Sequence, residues 1–120
     1  IDFIINLLPL SNETENIFNS QVFSKMTNAY FINVGRGKTV VEKDLIKAIE
    51  IGNLLGAALD VFEDEPLELD NPLFNYKNII LTPHIAGLDS NYWTNQLDLF
   101  SHNLNKYLAS NLSEMKNKIT

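Results

Sequence analysis

Arg36, Glu65 and His84 have the side-chain types and the surroundings for an acid–base reaction on a small anion. Arg36 lies between two glycines, directly after the apolar run Tyr30–Val34. A guanidinium at that position could hold a carboxylate through two parallel hydrogen bonds. The alternative is a surface arginine that pairs with the acidic segment around Glu63.

His84 and Glu65 could supply the proton transfer. His84 follows Pro83 at the end of an apolar segment, and an imidazole exchanges protons near neutral pH. Glu65 precedes a proline, which favours an extended backbone, and a carboxylate beside one ring nitrogen would favour the protonated imidazole. The alternative for His84 is a hydrogen bond to a backbone carbonyl. His102, within a long helical pattern, is expected on a solvated face.

Asp60 is a fourth candidate because it ends an otherwise apolar run and needs a partner if it is buried. The alternative is an aspartate that caps the following turn. No metal site is predicted, since the chain has no cysteine and only two widely separated histidines. Val40 stands where a dinucleotide fingerprint starting at Gly35 would need its third glycine, and no glycine-rich phosphate loop occurs.

The candidates follow segments that read as strands. A nearly continuous apolar run such as Ile1–Leu8 is typical of a strand buried on both faces of a parallel sheet. Asn19 is a predicted helix N-cap, with Phe18 and Phe23 placed to form a hydrophobic staple. The predicted strands are Ile1–Leu8, Tyr30–Val34, Gly56–Phe62 and Asn78–Thr82, and the predicted helices run from the Asn19 cap to about Met26, over Glu42–Ile51 and over Ser90–Leu108.

This alternation of strands and helices predicts an α/β fold with a parallel sheet. Ligands of such sheets bind outside the carboxyl ends of the strands. Pro9, Arg36, Asp60 and His84 each stand at such an end, so we expect them to converge on one site. The last helix carries an apolar stripe that the sheet does not obviously cover: Trp93, Leu97, Phe100, Leu104 and Leu108.

Composition narrows the class of partner. The 120 residues suffice for one small domain, and 45% hydrophobic with 20% charged residues is typical of soluble globular proteins. A formal net charge of -6 argues against a nucleic-acid backbone as partner. No apolar run approaches the ~18 residues that a membrane span needs. Without cysteine, disulfides are excluded, and a cytoplasmic location is expected.

Taken together, these motifs resemble the D-isomer-specific 2-hydroxyacid dehydrogenases, most closely the glyoxylate/hydroxypyruvate reductase branch. The resemblance extends from Ile1 to about Gly87 and is less distinctive through the long helix. The segments that carry it are Leu8-Pro9-Leu10, Glu13-Thr14, Ile32-Asn33-Val34-Gly35-Arg36-Gly37, Gly56-Ala57-Ala58-Leu59-Asp60-Val61-Phe62, Glu65-Pro66-Leu67 and Thr82-Pro83-His84-Ile85-Ala86.

The resemblance implies a hydride transfer between NAD or NADP and a small 2-keto or 2-hydroxy acid. Arg36 would hold the substrate carboxylate, His84 would donate a proton to the keto oxygen, and Glu65 would pair with His84. Asp60 would accept a hydrogen bond from the nicotinamide carboxamide. The residues implied to bind the cofactor are Leu8, Pro9, Thr14, Asn33, Val34, Gly35, Arg36, Asp60, His84, Ala86 and Gly87.

The resemblance also implies how the chain is divided into domains. Residues 1–88 would form the C-terminal half of a Rossmann-type doubly wound parallel sheet, and residues 89–120 a long helix and tail leading back to a substrate domain. Because the family's glycine-rich loop and most of its substrate domain are missing, the chain is expected to be a fragment that is inactive alone. The intact parent is expected to be a homodimer without nucleic-acid or membrane partners.

Two other functions stay open. The first is a non-catalytic, dinucleotide-sensing interaction module of the same fold, which would bind the cofactor with negligible turnover. The second is a domain fragment that only self-associates through uncovered sheet and helix faces.

Overall fold

The computed structural model describes residues 2–118, so the predicted strand position at Ile1 and the last two residues lie outside the described part. Contacts divide the chain into two units, Ile1–Ala86 and Gly87–Thr120. The strands are β1 (Phe3–Asn6), β2 (Ala29–Asn33), β3 (Leu54–Leu59) and β4 (Ile79–Leu81), and the helices are α1 (Ser20–Phe23), α2 (Glu42–Glu50) and α3 (Tyr92–Leu108). Short 3-10 turns cover Gly37–Thr39, Pro72–Asn75 and Leu112–Glu114.

The first unit is a four-stranded sheet in the order β1-β2-β3-β4, with every neighbouring pair parallel. This confirms the predicted α/β fold with a parallel sheet. The strand ends are aligned, because Asn6 pairs with Asn33, Asn33 with Leu59, and Leu59 with Leu81. The loops that follow all four strands therefore leave the sheet from the same edge.

One face of the sheet packs under α1 and α2. Phe31 of β2 and Leu45 of α2 are both fully buried in this core. Phe31 lies between two other aromatic rings, with centroids 4.9 Å from Phe18 and 5.4 Å from Phe23. Burial of these large side chains, at about 25 cal/mol per Å² of apolar surface, is the main stabilising contribution to the unit.

Within this unit the opposite face of the sheet is open. Phe3 and Ile5 of β1 are 59% and 57% exposed, and Ile80 of β4 is 66% exposed. The prediction that the first strand is buried on both faces is therefore wrong for the described residues. An apolar run shows that both faces of a strand are apolar, but it does not show whether a second layer covers both.

Local signals set several of the helix ends. The Asn19 side chain accepts a hydrogen bond from the Gln21 amide (3.1 Å), which confirms the predicted N-cap of α1. α2 ends at Glu50, and Gly52 just beyond it has φ +82°, a conformation that glycine adopts without steric cost. β3 starts two residues earlier than predicted because Leu54 pairs with Ala29 next to an irregularity in β2.

The second unit consists of α3 and the segment after it. That segment folds back on the helix: Nε2 of His102 donates to the Glu114 carbonyl (3.1 Å), and Lys106 forms an ion pair with Glu114. His102 is thus half-buried and bonded, rather than fully solvated as expected. Across residues 2–118, no helix has the length and apolar character needed to cross a membrane.

Candidate active site

The shared sheet edge gathers the four predicted chemical residues. Arg36 follows β2 by three residues, Asp60 directly follows β3, and His84 follows β4 by three residues. Backbone bonds hold the first turns in register, since the Asp60 amide donates to Asn33 and the Thr82 amide donates to Leu59. The expected convergence of strand ends is what the sheet register produces.

His84 and Glu65 meet directly. Nδ1 of His84 lies 2.7 Å from Oε2 of Glu65, and the other carboxylate oxygen accepts the amide of Phe62 at 3.0 Å. The side chains remain 50% and 36% exposed, so the pair is open to a ligand. Because Nδ1 faces the carboxylate, Nε2 is the nitrogen available for proton exchange.

The environment keeps Glu65 ionised. Desolvation opposes the charge, but the hydrogen bonds from His84 and from the Phe62 amide outweigh it and hold the pKa of Glu65 below its ordinary value.

Asp60 anchors the turn that carries His84. Its carboxylate is 4% exposed and accepts three hydrogen bonds: from Thr82 Oγ1 (2.6 Å), the Ile85 amide (2.9 Å) and the Ala86 amide (2.8 Å). Burial raises the pKa of Asp60, but these bonds and the nearby His84 outweigh burial and hold it below its ordinary value. Asp60 is therefore buried with partners, and these lie in the turn after β4 rather than in the turn that directly follows Asp60.

Arg36 is exposed, and its Nη1 donates to the carbonyl of Gly35 (2.7 Å). Among residues 2–118 its guanidinium forms no ion pair, so the alternative of pairing with the acidic loop does not describe this structure. Within the described residues, Nε and Nη2 of the guanidinium donate to no acceptor, so the edge that they form remains available to a carboxylate.

The glycines beside Arg36 are needed because two other backbones approach them. A Cβ on Gly35 would lie 2.7 Å from the Leu8 carbonyl oxygen, and one on Gly37 would lie 1.7 Å from the Phe62 carbonyl oxygen. The Arg36 loop is therefore wedged between the loop after β1 and the loop that leads to Glu65. No left-handed φ is recorded at either glycine, so close approach explains both.

The remaining predicted cofactor contacts are spread along the same loops. The Leu8 amide donates to the Asn6 side chain, the Val34 amide donates to the Asn6 carbonyl, and Thr14 donates to the Pro9 carbonyl. Asn33 is 1% exposed, its carboxamide is bonded inside the protein, and its carbonyl accepts the Asp60 amide. Gly87 is the first residue of the second unit.

A cavity of about 550 Å³ opens beside the histidine. Its walls are mostly apolar. The sequence prediction included Glu65 and His84 but not the apolar residues of the walls. A run of alternating acidic and apolar residues after Pro66 gave no signal that Leu67 and Phe74 would line a cavity. The lining residues are Phe62, Glu65, Pro66, Leu67, Phe74, Leu81, Thr82, Pro83 and His84.

Comparison with known proteins matches this architecture. Residues 1–86 match the family model of the NAD binding domain of D-isomer specific 2-hydroxyacid dehydrogenases. Glyoxylate/hydroxypyruvate reductase B from Escherichia coli O1:K1 / APEC is 47% identical over 87 residues, which are 72% of this chain and 27% of that protein. The chain therefore spans about a quarter of the length of the curated relatives that it matches.

Solved structures agree. A D-isomer specific 2-hydroxyacid dehydrogenase family protein from Klebsiella pneumoniae 342 superposes with TM-score 0.86 and 35% identity, covering 100% of this chain and 38% of that one. The NADPH-dependent glyoxylate/hydroxypyruvate reductase from Sinorhizobium meliloti, in complex with NADP and sulfate, gives TM-score 0.81 and 35% identity, covering 91% and 36%.

Proposed function

The chain belongs to the D-isomer specific 2-hydroxyacid dehydrogenase family, and from this premise we propose that its site takes part in hydride transfer between NAD(P)H and a small 2-keto acid. The observation that supports this most directly is the His84–Glu65 pair, 2.7 Å apart at the sheet edge that also carries Arg36. Relatives named glyoxylate/hydroxypyruvate reductase support glyoxylate and hydroxypyruvate as the acids.

The edge fits the nicotinamide end of such a cofactor. Asp60 uses three of the roughly four lone-pair directions of a carboxylate, which leaves one for a carboxamide N–H. No glycine-rich phosphate loop occurs among residues 2–118. The proposed contacts are Leu8, Pro9, Thr14, the 33–36 backbone, Asp60, His84, Ala86 and Gly87, and relatives crystallised with NADP or NADPH support this class of cofactor.

In the proposed mechanism Arg36 binds the substrate carboxylate with its planar fork and polarises the keto oxygen. The reduced nicotinamide, when bound, supplies a hydride to the carbonyl carbon. His84 donates the Nε2 proton to the oxygen, which takes up the former C=O π electrons, so that a 2-hydroxy acid forms. Glu65 stays ionised throughout, and its contact with Nδ1 fixes Nε2 as the nitrogen that donates.

The test is turnover by the protein that carries this chain, with NADPH and each of glyoxylate, hydroxypyruvate and pyruvate. Arg36→Lys should lower kcat/KM by roughly 10- to 100-fold, because one ammonium cannot replace two charge-assisted bonds. Lys38→Arg, an exposed cation two residues away, is the matched control and should change little. Equal kcat/KM for Arg36→Lys and wild type would count against the role of Arg36.

The same assay separates the rival function. A protein that binds NADPH but turns over none of the three acids would fit a non-catalytic, dinucleotide-sensing module. A cytoplasmic homodimer is the assembly and location that we propose from the family resemblance, and sedimentation velocity of the purified protein checks the dimer.

A further inference from the structure

We propose that Asn6 and Thr39 are positioning residues for Arg36: a buried hydrogen-bond network fixes the backbone on both sides of the arginine, so that its guanidinium meets the substrate carboxylate in one place. The inference rests on the proposed function, because it assigns further residues to the same site. Neither residue is exposed to a ligand, at 1% and 0% of their surface.

The network consists of three buried polar side chains from distant parts of the chain. The side-chain nitrogen Nδ2 of Asn6 donates to Asn33 Oδ1 (2.9 Å) and to Thr39 Oγ1 (2.7 Å). Burying a carboxamide or a hydroxyl without partners costs about 1–3 kcal/mol, so the three side chains stabilise this arrangement only together. Within the described part of the chain, no buried side-chain nitrogen or oxygen lacks a partner.

From there the network reaches the backbone on both sides of Arg36, at the Val34–Gly35 peptide and at the Arg36–Gly37 peptide. On one side the Gly35 amide donates to Asn33 Oδ1 (3.1 Å). On the other side Thr39 Oγ1 donates to the Arg36 carbonyl (2.6 Å), and Asn33 Nδ2 approaches the same oxygen at 3.4 Å. The Val34–Gly35 peptide, one residue before the arginine, and the Arg36–Gly37 peptide directly after it are thus both attached to buried groups.

Asn6 also attaches the neighbouring loop. Its Oδ1 accepts the Leu8 amide (3.0 Å), and Leu8 is the residue whose backbone presses on Gly35. A single carboxamide therefore joins the loops after β1 and β2. The Arg36 side chain itself is exposed and, among residues 2–118, bonds only to its own neighbour, Gly35, so its position depends on the backbone beneath it. A misplacement of about 1 Å at a catalytic group can cost about 100-fold in rate.

A matched pair of variants at Thr39 tests the proposal. Thr39→Val keeps the shape of the side chain but removes the hydroxyl that donates to the Arg36 carbonyl, whereas Thr39→Ser keeps the hydroxyl. We expect Thr39→Val to lower kcat/KM for the 2-keto acid about tenfold and to leave the pH profile of the His84–Glu65 pair unchanged. Thr39→Ser should stay within about twofold of wild type.

A double-mutant cycle separates positioning from general damage. If Thr39 acts through the arginine, Thr39→Val causes no further loss in an Arg36→Ala background. An equal tenfold loss in both backgrounds would overturn the proposal. Leu54→Ala, a core change at the opposite end of β3, controls for lost stability and should leave kcat/KM nearly unchanged below its unfolding temperature.

Amide hydrogen exchange decides the matter without any turnover. Thr39→Val should speed exchange of the Gly35 amide about tenfold, while the Ala57 amide, bonded to Asn78 within the sheet, keeps its rate. Unchanged exchange at Gly35, or an equal increase at both amides, would contradict the positioning role. If the wild type shows no turnover, the proposed function is overturned. The hydrogen-exchange result would still show whether Thr39 holds the backbone beside Arg36.

Discussion

At the scale of single residues, the backbone of His84 and the side chain of Asp60 depend on each other. His84 has φ +54°, in the left-handed region that non-glycine residues rarely adopt. Such a conformation costs of order 1–3 kcal/mol and persists only when its surroundings hold it. Asp60 does so by accepting the two amides that follow His84. The carboxylate thus sets where the imidazole stands, apart from any contact with a cofactor.

Asp60→Asn tests this dependence. The amide side chain keeps one acceptor oxygen but turns an NH₂ group toward a backbone donor, so we expect a loss of about 2 kcal/mol in the free energy of unfolding and a lower kcat. Because the pKa of Asp60 is held below its ordinary value of about 3.9, its stabilisation is present above that pH and is lost as pH falls through the lower folded value.

The measurement is urea unfolding of both proteins over a series of pH values. The difference in the free energy of unfolding between wild type and Asp60→Asn should be constant at neutral pH and should become smaller in acid. Asp70→Asn, at an exposed position, is the matched control and should change neither the free energy of unfolding at neutral pH nor its dependence on pH. A gap that does not narrow below about pH 4 would show that Asp60 gains nothing from its charge.

Single residues were predictable where their chemistry is distinctive in sequence. Arg36 and His84 stand out at the ends of apolar runs and Glu65 by its position before a proline, and the structure brings Glu65 to His84. Asn6 and Thr39 were missed, because a polar residue inside an apolar run does not reveal a partner 33 residues away. The polarity of Asn6 within β1 was the one signal that could have found the network.

At the scale of elements, two contacts fix the loop that carries Glu65. The Gly37 backbone lies against Phe62. In addition, α2 is joined to the loop by a reciprocal pair of hydrogen bonds between Glu42 and Glu63. The Glu42 amide donates to the Glu63 carboxylate and the Glu63 amide donates to the Glu42 carboxylate, each at 2.7 Å. Strand and helix positions followed from apolar periodicity, but these loop contacts depend on how the elements pack.

Gly37→Ala should be among the most damaging single substitutions in the chain. Its methyl group would lie 1.7 Å from the Phe62 carbonyl oxygen, a distance that only movement of one loop can relieve. We expect a loss of at least about 3 kcal/mol in stability, measured by urea unfolding. Gly87→Ala, where nothing lies within 4 Å of the added carbon, is the control. Similar stability of the two variants would contradict the close approach.

Glu42→Gln should act in the opposite direction. Burial raises the pKa of Glu42, the charges of Glu63 and Asp64 add to the effect, and the bond from the Glu63 amide only partly opposes it. Ionisation therefore costs the folded state stability as pH rises above the ordinary glutamate value of about 4.3. Gln keeps an acceptor oxygen for the Glu63 amide and never ionises.

We therefore expect Glu42→Gln to be about 0.5 kcal/mol more stable than wild type at neutral pH and equal to it below about pH 4. Thermal unfolding across that range checks the sign, with the exposed Glu68→Gln as control. A variant less stable than wild type at neutral pH would show that the ionised carboxylate strengthens the contact between helix and loop.

At the scale of the whole molecule, the chain holds a complete set of proposed acid–base residues but few groups for the phosphates of a dinucleotide. We predict that the 120 residues alone turn over no 2-keto acid and bind NADPH weakly. Titration calorimetry with NADPH and a rate assay on the purified chain measure both. Measurable turnover by the chain alone would contradict this prediction.

The fold class was predictable at this scale, but the layering was not. Strand–helix alternation with short connections leaves few arrangements other than a parallel sheet. The same pattern could not show that Phe3, Ile5 and Ile80 stay exposed within the first unit, because an apolar side chain has the same sequence signal whether or not another layer packs on it.

The wedging of the arginine loop between two backbones restricts how this chain can diversify. Lengthening or shortening the segment Gly35–Gly37 by one residue would move the guanidinium and break contacts with two neighbouring loops at once. We therefore expect substitutions in the cavity wall, such as at Leu67 or Phe74, to be tolerated far better than insertions or deletions at the arginine.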